Sequence, residues 1–311
     1  MSSMAIVGAG FVGRAWAVVF ARAGWRVQVS EPAARVREHL PALLHTMADE
    51  LVAAGLALDA ETIASRIKVF DRLEDALQGV GFVQENGPER VEVKQAIFAE
   101  LDRLAPPDAI LASSSSAIVA SRFSEALLGR ARCLIGHPVN PPHLVPVVEL
   151  CGAPWTSPET MARAREIYHG IGQVPVTVNR EIEGFVLNRL QAVVLTEALR
   201  LVADGVVSPQ DLDHTMKDGL GLRWSFMGPF ETIELNAPGG IDDYAERYGP
   251  TFARIAADVP DAGVWTPPKI ESLVAAWGKP DAATLKAKID WRDKTLAALM
   301  AHKRSNAKAP G

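Results

Sequence analysis

One stretch decides the fold of the N-terminal part of this chain: Ala5-Ile6-Val7-Gly8-Ala9-Gly10-Phe11-Val12-Gly13. Three apolar residues that favour a buried strand lead into a G-x-G-x-x-G turn, and the apolar pattern from Phe11 to Ala23 then predicts a helix. In that setting the first glycine allows a tight turn, the second lets a pyrophosphate approach the backbone, and the third lets helix and strand pack closely. Free amides at the helix N-terminus favour phosphate. We predict a dinucleotide-binding loop whose contacts are Gly8, Gly10, Phe11, Val12 and Gly13; the alternative is a packing turn without ligand.

An acid follows the second predicted strand, which runs from Arg26 to Ser30. A carboxylate at Glu31 is placed to accept hydrogen bonds from the adenosine ribose hydroxyls. Because it would repel a 2′-phosphate, it favours NAD over NADP, although Arg26 and Arg35 nearby weaken that preference. We therefore predict NAD as the cofactor, with Glu31 as a ligand of its ribose.

Short apolar runs alternate with amphipathic ones over residues 1–183, which predicts a mainly parallel sheet covered by helices on both faces. Residues 184–311 contain no convincing strand, and the apolar helix predicted at 185–204 is expected to be buried in a second core or in a subunit interface. We predict an α/β chain with a Rossmann-like NAD-binding domain at 1–183 and an all-helical substrate-binding and dimerisation domain at 184–311. Its tail, Leu285 to Lys308, is expected to form a solvated amphipathic helix. The later strand candidates are Ile67–Phe70, Val80–Gln84, Ala109–Ala112, Arg132–Gly136, Val145–Leu150 and Val174–Val178.

Composition narrows the class of protein. The 311 residues are 48% hydrophobic and 22% charged, which is typical of a globular chain of about two domains. A net charge of −5 argues against nucleic acid as a partner. We find no run of about 18 apolar residues and no basic region before the first apolar stretch, so we expect neither a membrane span nor a signal peptide. Two cysteines are too few for a disulfide framework, and we expect a cytoplasmic protein. No metal ligands are assigned.

A histidine follows a predicted strand in Gly136-His137-Pro138-Val139-Asn140-Pro141-Pro142. Ligands bind at the carboxyl ends of strands in open α/β sheets, so His137 is a candidate catalytic base. Glu149 lies among apolar neighbours in the next strand and needs a partner there, and the intervening prolines allow the chain to turn back towards His137. A carboxylate beside an imidazole sets its tautomer and stabilises its protonated form, which suits proton transfer. The alternative is a structural histidine.

Two further groups are candidates for contact with a substrate. The four serines Ser113 to Ser116 follow a strand, so their hydroxyls face the same sheet edge or cap the next helix. Asn188 lies near the start of the long apolar helix, where a buried amide needs partners. A substrate oxygen or a structural bond to another helix would each supply one.

The sequence resembles the L-3-hydroxyacyl-CoA dehydrogenase superfamily over nearly its whole length. The stretches that carry the resemblance are GHPVNPPHLVPVVEL, GFVLNRLQ, LVADGVVSPQDLD and GLGLRWSFMGP. Within that superfamily they resemble a branch that oxidises the free sugar acid L-gulonate. The resemblance implies a Rossmann-like N-terminal domain, a helical C-terminal domain and a homodimer formed through the latter.

The resemblance also implies roles for residues. His137 matches the catalytic base, Glu149 the acid paired with it, Ser116 the serine near the substrate hydroxyl and Asn188 the asparagine of the G-F-x-x-N-R motif. Glu89 and Lys94 match an acid and a lysine beside the nicotinamide ribose. At two points the chain departs from the family pattern: Glu31 replaces the usual aspartate, and the serine run replaces a more varied segment, which leaves open which serine acts.

Arg223, in Gly219-Leu220-Gly221-Leu222-Arg223-Trp224, is the candidate for the substrate's carboxylate, because a guanidinium binds a carboxylate through two hydrogen bonds. A surface ion pair with Asp218 is the alternative. We expect NAD-dependent oxidation of a small free 3-hydroxy acid such as L-gulonate. The alternatives are a 3-hydroxyacyl-CoA, L-carnitine with Trp224 or Tyr244 facing its ammonium, and a non-catalytic NAD-binding protein.

Overall fold

The computed structural model describes residues 2–258 and 262–306. The chain divides into two compact units. The first contains the residues up to Arg189 together with those from Ile289 onward, and the second is Leu190–Lys288. The return of the C-terminal residues to the first unit is a feature that the sequence patterns did not indicate.

An eight-stranded sheet forms the centre of the first unit, in the order β3-β2-β1-β4-β5-β6-β7-β8. Neighbouring strands are parallel except for β6 and β7, which pair antiparallel. The expected mainly parallel sheet is therefore confirmed, with one reversal. The strands are β1 Ser3–Val7, β2 Arg26–Ser30, β3 Ile67–Phe70, β4 Phe82–Glu85, β5 Ile110–Ser113, β6 Cys133–Pro138, β7 Val147–Gly152 and β8 Val174–Val178.

Helices cover the sheet and make up the second unit. The helices that come before the second unit in the chain are α1 Phe11–Arg22, α2 Ala34–Ala53, α3 Ala60–Ser65, α4 Leu73–Ala76, α5 Val91–Leu104, α6 Ser121–Ser124 and α7 Pro158–Gly170. They are followed by α8 Leu187–Ala203, α9 Pro209–His214, a π-helix Thr215–Leu220, α10 Gly221–Trp224, α11 Pro229–Leu235, α12 Gly240–Ala257, α13 Pro267–Trp277 and α14 Ala282–Ser305. Two 3-10 turns lie at Arg130–Arg132 and Ala262–Trp265.

Helices bury both faces of the sheet. Because successive residues of each strand point to opposite faces, neighbouring residues join different apolar clusters. Phe82 of β4 packs into one apolar cluster and its neighbour Val83 into the other. The same division separates Ile110 from Leu111 on β5. Ala297 of α14 joins the first cluster, so the C-terminal helix completes the core of the first unit.

The described residues of the second unit form helices and the turns that connect them, and none of them lies in a strand. No residue of α8 is fully buried, and Leu190 and Val193 are 62% and 69% exposed. Burial of this helix in the core of a single chain, one of two expectations, is therefore not observed. The tail predicted at Leu285 to Lys308 is α14, although Lys308 lies outside the described residues. Among the described helices, none is long and apolar enough to cross a membrane.

Candidate active site

The glycine loop joins β1 to α1 at the carboxyl end of the parallel strands. Gly8 has φ +87°, a left-handed conformation that favours glycine. A Cβ at Gly13 would lie 1.9 Å from the carbonyl oxygen of Gly8, so the third glycine permits the close contact of helix and turn. The space beside Gly10 is open within 4 Å, and no side chain caps α1 there. Among the described residues, no side chain binds the first-turn amides, and this cradle fits a dinucleotide pyrophosphate.

Glu31 follows β2 and is 9% exposed. One carboxylate oxygen accepts a hydrogen bond from the amide of Ala9 at 2.9 Å, and the other accepts from the amide of Ala33 at 2.9 Å. These bonds fix the carboxylate against the glycine loop. Each carboxylate oxygen has further acceptor capacity, which suits the predicted contact with ribose hydroxyls.

His137 and Glu149 lie directly opposite each other on the antiparallel strands β6 and β7. Nδ1 of His137 is 2.9 Å from Oε2 of Glu149, and the two residues are 3% and 2% exposed. The pairing expected from the sequence is confirmed. An ionised carboxylate only accepts hydrogen bonds, so Nδ1 donates and Nε2 carries the lone pair of the neutral ring. The imidazole is therefore oriented with its basic nitrogen directed away from Glu149.

The second carboxylate oxygen of Glu149 is held by the start of α8. Oε1 accepts hydrogen bonds from the amides of Val186 at 2.8 Å and Leu187 at 2.9 Å. Burial opposes ionisation of this carboxyl group, but the hydrogen bonds from His137, Leu187 and Val186 together outweigh it and lower the pKa of Glu149 below its usual value. Glu149 is an anion shared between the imidazole and a helix N-terminus.

Asn188 connects this pair to the serine run. Its Nδ2 donates a hydrogen bond to the backbone carbonyl oxygen of Ser116 at 3.0 Å. Asn188 also directly follows Val186 and Leu187, whose amides bind Glu149. The structure thus brings His137, Glu149, Ser116 and Asn188 together through consecutive contacts; their roles in catalysis remain predictions.

The hydroxyls of the first two serines in the run are used for structure. Ser113 donates to Glu85 at 2.7 Å. Ser114 donates to Asn86 at 2.8 Å and accepts from Gln84 at 2.7 Å and Trp16 at 3.1 Å. Neither hydroxyl is free to meet a substrate without losing such a bond.

The second two serines differ from each other. Ser115 donates to Glu89 and accepts from the amide of Ile118 at 2.9 Å. Among residues 2–258 and 262–306, the hydroxyl of Ser116 has no hydrogen-bond partner. Ser116 is half-buried. Of the four serines it is the one whose hydroxyl remains for a ligand.

Glu89 lies under the serine run. Its Oε1 accepts hydrogen bonds from the side chain of Ser115 and from the amides of Ser116, Ala117 and Ile118 at 3.1, 3.1 and 3.3 Å. Partial burial raises its pKa, but these bonds and the charge of Lys94 prevail and lower the pKa of Glu89. Glu89 therefore organises the loop that carries Ser116, whereas its contact with a cofactor stays a prediction.

Lys94 forms an ion pair that the sequence analysis missed. Its Nζ is 2.9 and 2.8 Å from the two carboxylate oxygens of Glu85 and 3.1 Å from the carbonyl oxygen of Gly87. Lys94 and Glu85 are 1% and 0% exposed. The predicted contact of Lys94 with the nicotinamide ribose would have to replace one of these bonds. The sequence did carry an indication for Glu85, because it is an acid at the end of β4, just as Glu31 is an acid that follows β2.

Arg223 lies on α10 in the second unit and is exposed. Within the described part of the chain its guanidinium has no ion-pair partner. Asp218, the expected partner in the alternative interpretation, instead pairs with His214 at 2.9 Å and Lys217 at 3.5 Å. The guanidinium is therefore available for an external anion.

A glycine loop, a fixed acid after β2 and a histidine–carboxylate pair, all at one end of the sheet, are the features of an NAD-dependent dehydrogenase. Comparison with known families agrees. Residues 3–182 match the model of the 3-hydroxyacyl-CoA dehydrogenase NAD binding domain, and residues 184–280 match that of the C-terminal domain. The chain belongs to the 3-hydroxyacyl-CoA dehydrogenase family, and it is an NAD-dependent oxidoreductase.

Several relatives extend over most of the chain. The lambda-crystallin homolog of Bos taurus is 42% identical over 302 residues, covering 95% of this chain and 94% of that protein. The L-carnitine dehydrogenase of Streptomyces coelicolor is 36% identical, covering 82% and 81%. Among solved structures, 5-formyl-3-hydroxy-2-methylpyridine 4-carboxylic acid 5-dehydrogenase is 27% identical with a TM-score of 0.87, covering 99% of this chain and 100% of that one.

Proposed function

We propose that this protein oxidises the 3-hydroxyl group of a small free hydroxy acid, with L-gulonate as the leading candidate. The observation that carries the proposal is the buried His137–Glu149 pair, in which Nδ1 is bound to the carboxylate at 2.9 Å and Nε2 is left as the base. A base of this kind removes the hydroxyl proton as the alcohol is oxidised.

The proposed proton path uses this chain's own groups. Nε2 of His137 takes the proton of the 3-hydroxyl group, and the ionised Glu149 balances the charge of the resulting imidazolium. The amides of Val186 and Leu187 keep Glu149 in its ionised form. Ser116 and Asn188 hold the oxygen that becomes the carbonyl. NAD, when bound, accepts the hydride from the same carbon. In the reverse direction His137 returns the proton.

Arg223 is the proposed ligand of the substrate carboxylate. Its support is that the guanidinium has no ion-pair partner in the described part of the chain, because such a planar cation binds a carboxylate through two parallel hydrogen bonds. A relative whose name contains a carboxylic acid also supports a free acid as substrate. A 3-hydroxyacyl-CoA is the second candidate, and the description of the matching family favours it.

We further propose that the chain is a cytoplasmic homodimer. The support for a dimer is the exposed apolar surface of the second unit, because isolated monomers seldom expose so many large apolar side chains. It includes Leu190, Val193, Phe230, Leu235 and Trp277. Two buried cysteines without a disulfide, Cys133 and Cys151, are consistent with a reducing compartment.

The test is NAD reduction followed side by side with L-gulonate, L-carnitine, 3-hydroxybutyrate and 3-hydroxybutyryl-CoA. His137→Ala should lower kcat by roughly 10²- to 10⁴-fold while NAD affinity is retained. Unchanged turnover in that variant would refute the proposal.

A second variant tests the substrate class. Arg223→Leu should raise KM for the free acid and leave KM for NAD unchanged. Arg254→Leu, which changes an exposed arginine of α12, is the matched control and should behave as the wild type. If Arg223→Leu impairs only the acyl-CoA reaction, the second candidate is the correct one.

A further inference from the structure

Phe185 has a backbone conformation that is unusual for its residue type. Its φ is +49°, and it is the one non-glycine residue with positive φ in the described part of the chain. A large aromatic side chain in the left-handed region is a true outlier, because its Cβ crowds the backbone. Such strain persists only where the surroundings impose it, and it is concentrated at functional sites.

The side chain of Phe185 contacts His137, and its backbone leads into the amides that bind Glu149. The phenyl ring packs against the imidazole of His137, with ring centroids 5.6 Å apart and planes tilted by 40°. The residue itself is fully buried. Its left-handed backbone immediately precedes Val186 and Leu187, whose amides both point at Oε1 of Glu149. A single residue therefore contacts the base and sets the direction of the donors that hold the base's partner.

The turn before Phe185 supports the same interpretation. Gly184 is also left-handed, with φ +75°, so two successive residues reverse the chain at the start of α8. The amide of Phe185 donates to the carbonyl oxygen of Ile182 at 3.2 Å, which closes the turn. An extended conformation at Phe185 would carry the next two amides away from the carboxylate.

We propose that Phe185 is a positioning residue that aligns the His137–Glu149 pair, an inference that rests on the proposed function of His137 as the base. The phenyl ring limits the tilt of the imidazole of His137. The backbone of Phe185 directs the amides of Val186 and Leu187 towards Glu149. The expense in backbone strain is offset by the fixed geometry of the pair.

The chain offers a matched control for ordinary packing. Phe98 is also 0% exposed and belongs to the same apolar cluster as Phe185. It lies within α5 and packs on Phe123 with ring centroids 4.2 Å apart, without contact to the pair. Phe98→Leu and Phe185→Leu therefore remove the same ring from the same core, and only the second touches His137.

Leu187→Pro is a second variant, for the case that Phe185→Leu fails to fold. Leu187 is the first residue of α8, where proline is tolerated because the amide has no partner within the helix. The substitution removes one of the two amides that bind Glu149 and leaves every side chain of the pair in place.

The experiment measures two properties of the full chain. The first is the downfield proton NMR signal of the His137 Nδ1–H in the unliganded protein, assigned by its absence in His137→Ala. The second is kcat and KM with whichever of the four test substrates the wild type oxidises fastest. Phe185→Leu and Leu187→Pro should each move or abolish the signal and lower kcat by about 10- to 100-fold. KM for NAD should not change, and Phe98→Leu should retain both the signal and kcat.

A wild-type signal and a wild-type kcat in Phe185→Leu or Leu187→Pro would overturn the inference, as would an equal loss in Phe98→Leu. Full turnover in His137→Ala would instead overturn the proposed function. In that event the NMR signal alone still decides whether Phe185 aligns the pair.

Discussion

Acid should destabilise this protein through a histidine that has no part in the proposed chemistry. His143 lies between β6 and β7 and is 6% exposed, and its buried Nδ1 has no hydrogen-bond partner among the residues that the structure describes. Burial is the main reason that its pKa falls from 6.5 to about 4, and the charges of Arg22, Arg292 and Arg14 lower it further. The folded chain therefore holds His143 neutral at a pH where the unfolded chain protonates it.

The sign and size of the effect follow from linkage. Between pH 6.5 and about 4 the unfolded state binds the extra proton, so the free energy of unfolding falls as the pH falls. One pKa unit corresponds to about 1.4 kcal/mol, so the total amounts to about 3 kcal/mol. That is a large fraction of the roughly 5–15 kcal/mol by which a typical domain is stable.

Urea unfolding of the wild type and of His143→Leu, at several pH values between 7.5 and 4, tests this. The difference between their unfolding free energies should shift by about 3 kcal/mol in favour of His143→Leu at the acid end. His169→Gln, which changes an exposed histidine of α7, is the control and should follow the wild type. Parallel profiles for wild type and His143→Leu would refute the reasoning.

Three further outcomes are expected. Gly13→Ala places a Cβ 1.9 Å from the carbonyl oxygen of Gly8, so a fluorescence titration should show clearly weaker NADH binding; an unaltered Kd would contradict the role of the loop. Gly136→Ala places a Cβ 2.0 Å from the hydroxyl of Tyr168 and should cost about 1–3 kcal/mol of unfolding free energy. In a Tyr168→Phe background the same change should cost less, and equal costs in the two backgrounds would exclude the clash. The pKa of Glu149 is lowered in the folded state, so the stabilisation that this carboxylate provides is present above pH 4.5 and is lost as the pH falls through the folded pKa. Glu149→Gln should therefore make the free energy of unfolding depend less steeply on pH in the acid range. A dependence as steep as that of the wild type would count against this.

The local patterns predicted the strands of the first unit, but not the return of the C-terminal residues to it. The strands at Ile67–Phe70 and Val174–Val178 have the bounds that their apolar runs predicted. The glycine loop could be predicted because each of its glycines meets a steric requirement that is defined within about ten residues of sequence. The pairing of His137 with Glu149 was also within reach, since three prolines separate the two strands and a buried carboxylate needs a partner.

Contacts between distant elements were beyond those patterns. The sequence could not say which serine is free, because the partners of Ser113 and Ser114 come from β4, from α1 and from the residues that follow β4. It could not show that Lys94 is already paired with Glu85. Nor did any local signal mark Phe185 as left-handed.

From its sequence alone, this chain was recognisable as an α/β dehydrogenase with its cofactor loop and its candidate base and acid. The tertiary structure decided which polar groups are already satisfied by the protein and which remain for a ligand. The reason is physical: periodicity and turn chemistry are local, whereas a hydrogen bond depends on the position of both partners. For the serine run, those partners are as much as 98 residues apart in the sequence.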